Sequence, residues 1–202
     1  AVINECVFAG NQHEGLHCIN SNIRYNNNLK RIDVIASPLN NEHQFDFSGN
    51  GRHLVLDQGS TFVPTMTSSM PSNYGKIRFC ENHSITTSNV ADPYTKLIPP
   101  VVVQNNSTAT FVHPIFKSSY YGAGTYPMFG ECLAVTNNSK ALLQGSASGA
   151  SVLYGYRTGT NLLSYNNNRR TAGVYVANNS IFECNGPTVM FNFGVDTLAE
   201  NN

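Results

Sequence analysis

Ile181-Phe-Glu-Cys-Asn-Gly-Pro-Thr-Val-Met-Phe-Asn-Phe193 sets the first expectation for this chain. Two β-prone runs, Ile181–Cys184 and Pro187–Phe193, flank Asn185-Gly186. An Asn-Gly pair accepts the positive φ that a tight hairpin turn requires. The stretch therefore predicts two neighbouring antiparallel strands.

The same pattern recurs outward from there. Arg31–Ala36, His53–Asp57, Lys76–Cys80, Thr108–His113, Ser151–Tyr156 and Ala172–Ala177 are short runs dominated by β-branched, aromatic and other apolar residues. They suit a pleated, half-buried surface and are read with period two. Between them lie turn clusters: Asn26–Asn28, Ser48–Gly51, Gly122–Gly124, Thr158–Thr160 and Asn166–Asn168. Lys140-Ala-Leu-Leu-Gln144 could begin a helix, but Gly145-Ser-Ala-Ser-Gly149 would stop it. No internal repeat and no linker emerges. Residues 1–202 thus read as a single β-rich domain. The expected fold is mainly β: an antiparallel sandwich or jelly roll with long loops and little helix.

Charge narrows the function. Charged residues make up 12%, balanced at 12 basic and 12 acidic, while hydrophobic residues reach 41%. A binder that depends on a basic surface is excluded, so no nucleic-acid partner is expected. A charged disordered chain is excluded too. Polarity comes instead from neutral groups, including 27 Asn. Ten Tyr and 11 Phe replace the absent Trp as large apolar groups.

N-x-[ST] acceptor patterns occur at Asn82, Asn105, Asn106, Asn137 and Asn178. With the scattered cysteines Cys6, Cys18, Cys80, Cys132 and Cys184, they suggest secretory passage, glycosylation and one or two disulfides. A chain rich in Asn, Ser and Thr also makes such patterns by chance. No apolar run is long enough to span a bilayer. Membrane attachment would have to come from an anchor outside this sequence. No C-x-x-C pair is present, and His13, His17 and Cys18 do not complete a zinc pattern. No metal and no cofactor is expected.

No catalytic motif is intact. Gly145–Gly149 has Ala147 at its centre, so the G-x-S-x-G elbow is not met. Asp46, Asp57 and Asp196 have no spaced His partner. Flat rings and neutral hydrogen-bonding groups suit a sugar instead. Tyr120, Tyr121 and Tyr126 form one candidate site; Tyr154, Tyr156 and Arg157 form a second, with the cation available to an anionic sugar. A core or rim role for these tyrosines is the structural alternative.

Ser48-Gly-Asn-Gly-Arg-His-Leu-Val-Leu-Asp-Gln-Gly-Ser-Thr-Phe-Val-Pro64 resembles a segment of viral haemagglutinin-esterases, with Ser48, Gly49, Gly51, Gly59, Phe62 and Pro64 as the matching positions. Upstream, Val7–His13 sits where that family has its nucleophile motif. Downstream, Phe111-Val112, Tyr121-Gly122 and Thr136–Asn138, with Cys132 between, resemble the start of its receptor-binding domain. Gln12 stands at the nucleophile position and Thr61 at the oxyanion-hole position. The late Asp and His of the triad have no counterpart. The resemblance therefore implies an esterase-like shell without esterase chemistry. The whole chain is also similar in composition to receptor-binding domains of viral surface glycoproteins, including coronavirus spike N-terminal domains. That implies a non-enzymatic attachment domain on a virion surface or outside a cell. It would recognise a host sialoglycan or cell-surface glycoprotein, as part of a homo-oligomer. The competing readings are a structural capsid-spike or adhesin module and, more remotely, a secreted hydrolase.

Overall fold

Val2–Asn4 (β1), Cys6–Ala9 (β2) and Glu14–Ile19 (β3) form one coil of the chain, each strand in a different sheet. The computed structural model repeats this coil along its length. Asn22–Asn26 (β4), His43–Ser48 (β5) and Arg52–Asp57 (β6) make the second coil. Thr61–Pro64 (β7), Lys76–Cys80 (β8) and Val101–Gln104 (β9) make the third. The fourth is Thr108–Val112 (β10), Pro114–Lys117 (β11) and Leu133–Thr136 (β12). The fifth is Lys140–Gln144 (β13), Ser151–Tyr154 (β14) and Ala172–Ala177 (β15). Ile181–Asn185 (β16), Thr188–Phe191 (β17) and Val195–Glu200 (β18) make the sixth. The structure describes residues 1–4, 6–9, 11, 13–26, 43–48, 52–65, 76–80, 101–117, 132–145, 150–154, 172–191 and 195–201.

Every strand pairs in parallel with the strand three places along the chain, giving three six-stranded sheets around one core. This is a parallel β-solenoid. The antiparallel sandwich expected above is therefore incorrect. Period-two patterning locates a strand but does not set the direction of its neighbour. Parallel neighbours need a long crossover between them. Here two further strands and their corners supply it. Asn185-Gly186 is a corner rather than a hairpin, because β16 lies in the first sheet and β17 in the second. Lys140–Gln144 is strand β13, and no helix occurs among the described residues. Arg31–Ala36 lies outside the described residues.

Register builds the core in columns. Leu54, Val101, Leu133 and Val174 are successive partners in the third sheet, as are Leu56, Val103, Val135 and Val176. All eight are buried. Val55, Val102 and Ala134 project from the opposite face of that sheet and are buried too. Leu-Val-Leu and Val-Val-Val are thus continuous apolar runs, as a parallel strand buried on both faces requires.

Aromatic rings fill the middle coils. Tyr25 stacks on Phe62 at 4.7 Å, and Phe79 stacks on Phe116 at 4.9 Å. Phe111 meets Phe79 and Phe116 edge-on, at 5.6 and 5.4 Å. Each such side chain, fully buried, contributes about 1.5–3 kcal/mol. The Tyr25 hydroxyl donates to Thr110 O at 2.7 Å and accepts from Val112 N at 3.2 Å, tying the second coil to the fourth. Toward both ends the core thins. Ile3, Cys6, Phe8 and Leu16 in the first coil, and Phe182 and Met190 in the last, are only partly buried.

Candidate functional site: two unlike corners

The corner joining the third sheet to the first is short in every coil. It is Asn20-Ser21, then Gln58–Ser60, Asn105–Ser107, Asn137–Ser139 and Asn178–Ser180. From the second coil onward its serines lie inside. Ser60 and Ser107 are 0% exposed, and Ser139 and Ser180 are 2% and 6% exposed. Each hydroxyl oxygen accepts the backbone N–H of the serine one coil earlier. Ser21 N donates to Ser60 Oγ at 3.1 Å, Ser60 N to Ser107 Oγ at 3.2 Å, Ser107 N to Ser139 Oγ at 3.1 Å, and Ser139 N to Ser180 Oγ at 3.1 Å. Small size and one acceptor are what this position needs, because an unsatisfied buried N–H is costly.

An asparagine ladder runs outside the serines. Asn178 Nδ2 donates to Asn137 Oδ1 at 2.8 Å, and Asn137 Nδ2 to Asn105 Oδ1 at 2.9 Å. Asn105 Nδ2 donates to Asp57 Oδ1 at 2.7 Å, so a carboxylate ends the ladder. Partial desolvation pushes Asp57 upward. Hydrogen bonds from Asn105, Gln58 N–H and Gln104, with His17 nearby, outweigh it and hold the carboxyl below its usual value. Asn105, Asn106, Asn137, Asn138, Asn178 and Asn179 all have φ between 54° and 64°. Asparagine is the non-glycine residue that tolerates this region best. The Asn-Asn-Ser triplets behind the acceptor patterns at Asn105, Asn106, Asn137 and Asn178 therefore have a structural role in the turn. Asn82 lies outside the described residues.

The corner from the second sheet to the third differs in character. It is short in the first two coils and the last, but spans 81–100, 118–132 and 155–171 in the three between. In the sequence, the tyrosine sets fall at or beside the segments that join these strands. Tyr120, Tyr121 and Tyr126 fall between β11 and β12, and Tyr156 and Arg157 between β14 and β15; all five lie outside the described residues. Tyr154 is the last residue of β14 and pairs in register with Lys117, the last of β11. The two connections therefore leave the scaffold from adjacent rungs, about 4.8 Å apart.

No catalytic constellation forms among the described residues. Thr61 Oγ1 donates to Asn22 Oδ1 at 2.8 Å on the first sheet. Phe62 is 0% exposed and Gly59, with φ 78°, makes the turn, so those matched positions serve the coil. Gln12 lies outside the described residues. His53 is 0% exposed, its ring 6.3 Å from Phe79, and neither nitrogen has a hydrogen-bond partner. Burial lowers its pKa to about 3, so it stays neutral at physiological pH. Cys18 is a buried free thiol whose pKa burial raises to about 11, and Cys184 is an exposed free thiol. Neither is poised as a nucleophile. No group of three His, Cys, Asp or Glu among the described residues is placed to hold a metal ion.

No protein-family model, curated protein or solved structure matches this chain.

Proposed function

We propose that this chain is a non-catalytic attachment module of a virion or cell surface, in which a stiff solenoid presents a cluster of tyrosine-bearing connections to a host sialoglycan or cell-surface glycoprotein. The observation that carries this reading is the Lys117–Tyr154 register pair. It sets the departure points of the two tyrosine-bearing connections side by side. Ring faces stack on sugars, and the Arg157 guanidinium suits a sialic carboxylate. Low charge leaves recognition to neutral hydrogen bonds. Tyr121→Ala and Arg157→Ala variants that keep the parent's β circular-dichroism spectrum are expected to lose glycan-array and cell binding. Undiminished binding by both variants overturns the assignment.

A second reading has its own support. The serine and asparagine ladders make a stiff rod, which suits a spike or adhesin stalk whose task is assembly. Self-association in solution with no signal on glycan arrays or cells would favour the stalk.

A further inference from the structure

We propose that Asn185 is a site of spontaneous deamidation and isoaspartate formation, and that this modification loosens the last coil. Asn185, Gly186 and Pro187 are exposed. Among the described residues, the Asn185 carboxamide makes no hydrogen bond, and neither does the Gly186 N–H; the Asn185 carbonyl accepts from Gly145 N at 2.8 Å. The ladder asparagines differ on both counts. Asn105, Asn137 and Asn178 have engaged carboxamides. The backbone N–H that follows each ladder residue is engaged as well. Asn106 N donates to Asn137 O, Asn138 N to Asn178 O, and Asn179 N to Asn201 O. Ser107 N and Ser139 N are held by the serine hydroxyls.

The reaction needs only water and a trace of hydroxide. The Gly186 nitrogen gives its proton to hydroxide and attacks Asn185 Cγ. A new N–Cγ bond closes a five-membered succinimide. The Cγ–Nδ2 bond breaks, and the nitrogen leaves as ammonia. Water then opens the ring at either carbonyl. One product is aspartate; the other is isoaspartate, with one extra carbon in the main chain. Attack requires the Asn185–Gly186 peptide plane to turn, which releases the Gly145–Asn185 hydrogen bond.

The corner has no room for the longer backbone. A Cβ added at Gly186 would fall against Gly145 O, and one added at Gly145 would fall against Pro187 O, both well inside van der Waals contact. The isoaspartate form must therefore separate this corner from the coil before it. The strand it leads into, β17, is the edge of the second sheet, and among the described residues its ladder partner is β14.

Incubation of the folded protein in mildly alkaline buffer tests both halves. Peptide mapping by mass spectrometry, with isoaspartyl methyltransferase labelling, separates Asn185 from the other Asn-Gly pair, Asn50-Gly51. Conversion at Asn185 should run several-fold faster than at Asn106 or Asn138, and N185Q should lose that signal entirely. Amide exchange across 181–191 should rise several-fold in aged protein and stay at its starting value in aged N185Q. Conversion of Asn106 or Asn138 at a rate equal to Asn185 overturns the site. Conversion at Asn185 with unchanged exchange overturns the loosening.

Discussion

Asn137 holds two roles that substitution can separate. Its carboxamide bridges Asn105 and Asn178, and its backbone sits at φ 58°. Asn137→Gly keeps the backbone at ease and loses only the two exposed bonds, so about 0.5–1 kcal/mol is expected to go. Asn137→Ala adds left-handed strain of about 1–2 kcal/mol. Urea unfolding should therefore rank wild type above Gly and Gly above Ala. Ser139→Ala strands the Ser107 N–H inside the corner. About 1–3 kcal/mol is expected to be lost. His53 sets the acid limit. Its ordinary pKa is 6.5 and the fold lowers it to about 3. The unfolded chain therefore binds this proton more tightly, and its contribution to stability is whole above pH 6.5. As pH falls from 6.5 toward 3, up to about 1.4 kcal/mol is lost per unit. His53→Leu should flatten that slope in thermal melts recorded across this range.

Several strand positions are legible in the sequence, but Lys140–Gln144 reads as a helix start there and is strand β13, and strand direction is not legible at all. Lys76–Cys80 and Ala172–Ala177 coincide with β8 and β15, and Thr108–His113 overruns β10 by one residue. Alternation is a property of one strand alone, whereas parallel pairing is fixed by the path between strands. The signals that carried it were the continuous runs Leu54–Leu56 and Val101–Val103, and the triplet Asn-Asn-Ser beside β10, β13 and β16. The repeat is hidden in the sequence because it has no fixed period. Successive corner serines are 39, 47, 32 and 41 residues apart. Nor does the sequence alone relate the two tyrosine sets, since only register brings Lys117 beside Tyr154. The corner between β13 and β14 gives a sharp test of packing. Gly145→Ala must displace the Pro187 backbone. A loss of about 1–3 kcal/mol is expected, with hydrogen exchange rising first in 181–191.

Of the molecule's three corners, the one from the third sheet to the first stays at two or three residues, while the other two vary widely in length. Adding residues between Asn137 and Asn138 would break both ladders at once. Adding the same residues between β14 and β15 lengthens a connection that already ranges widely across coils. A four-residue Gly/Ser insertion at the first place should collapse the melting transition, while one at the second should leave it within a few degrees of the parent. Differential scanning calorimetry of the two variants checks this directly.

That asymmetry has a consequence for descent. In-frame duplications and deletions falling between β14 and β15 leave the hydrogen-bonded rungs in step, so selection can lengthen, shorten or rewrite the contact surface without renegotiating the scaffold. A lineage built this way would diverge quickly in overall length and composition while its Asn-Asn-Ser marks stayed put, and its kinship would be traced by counting rungs rather than by aligning letters.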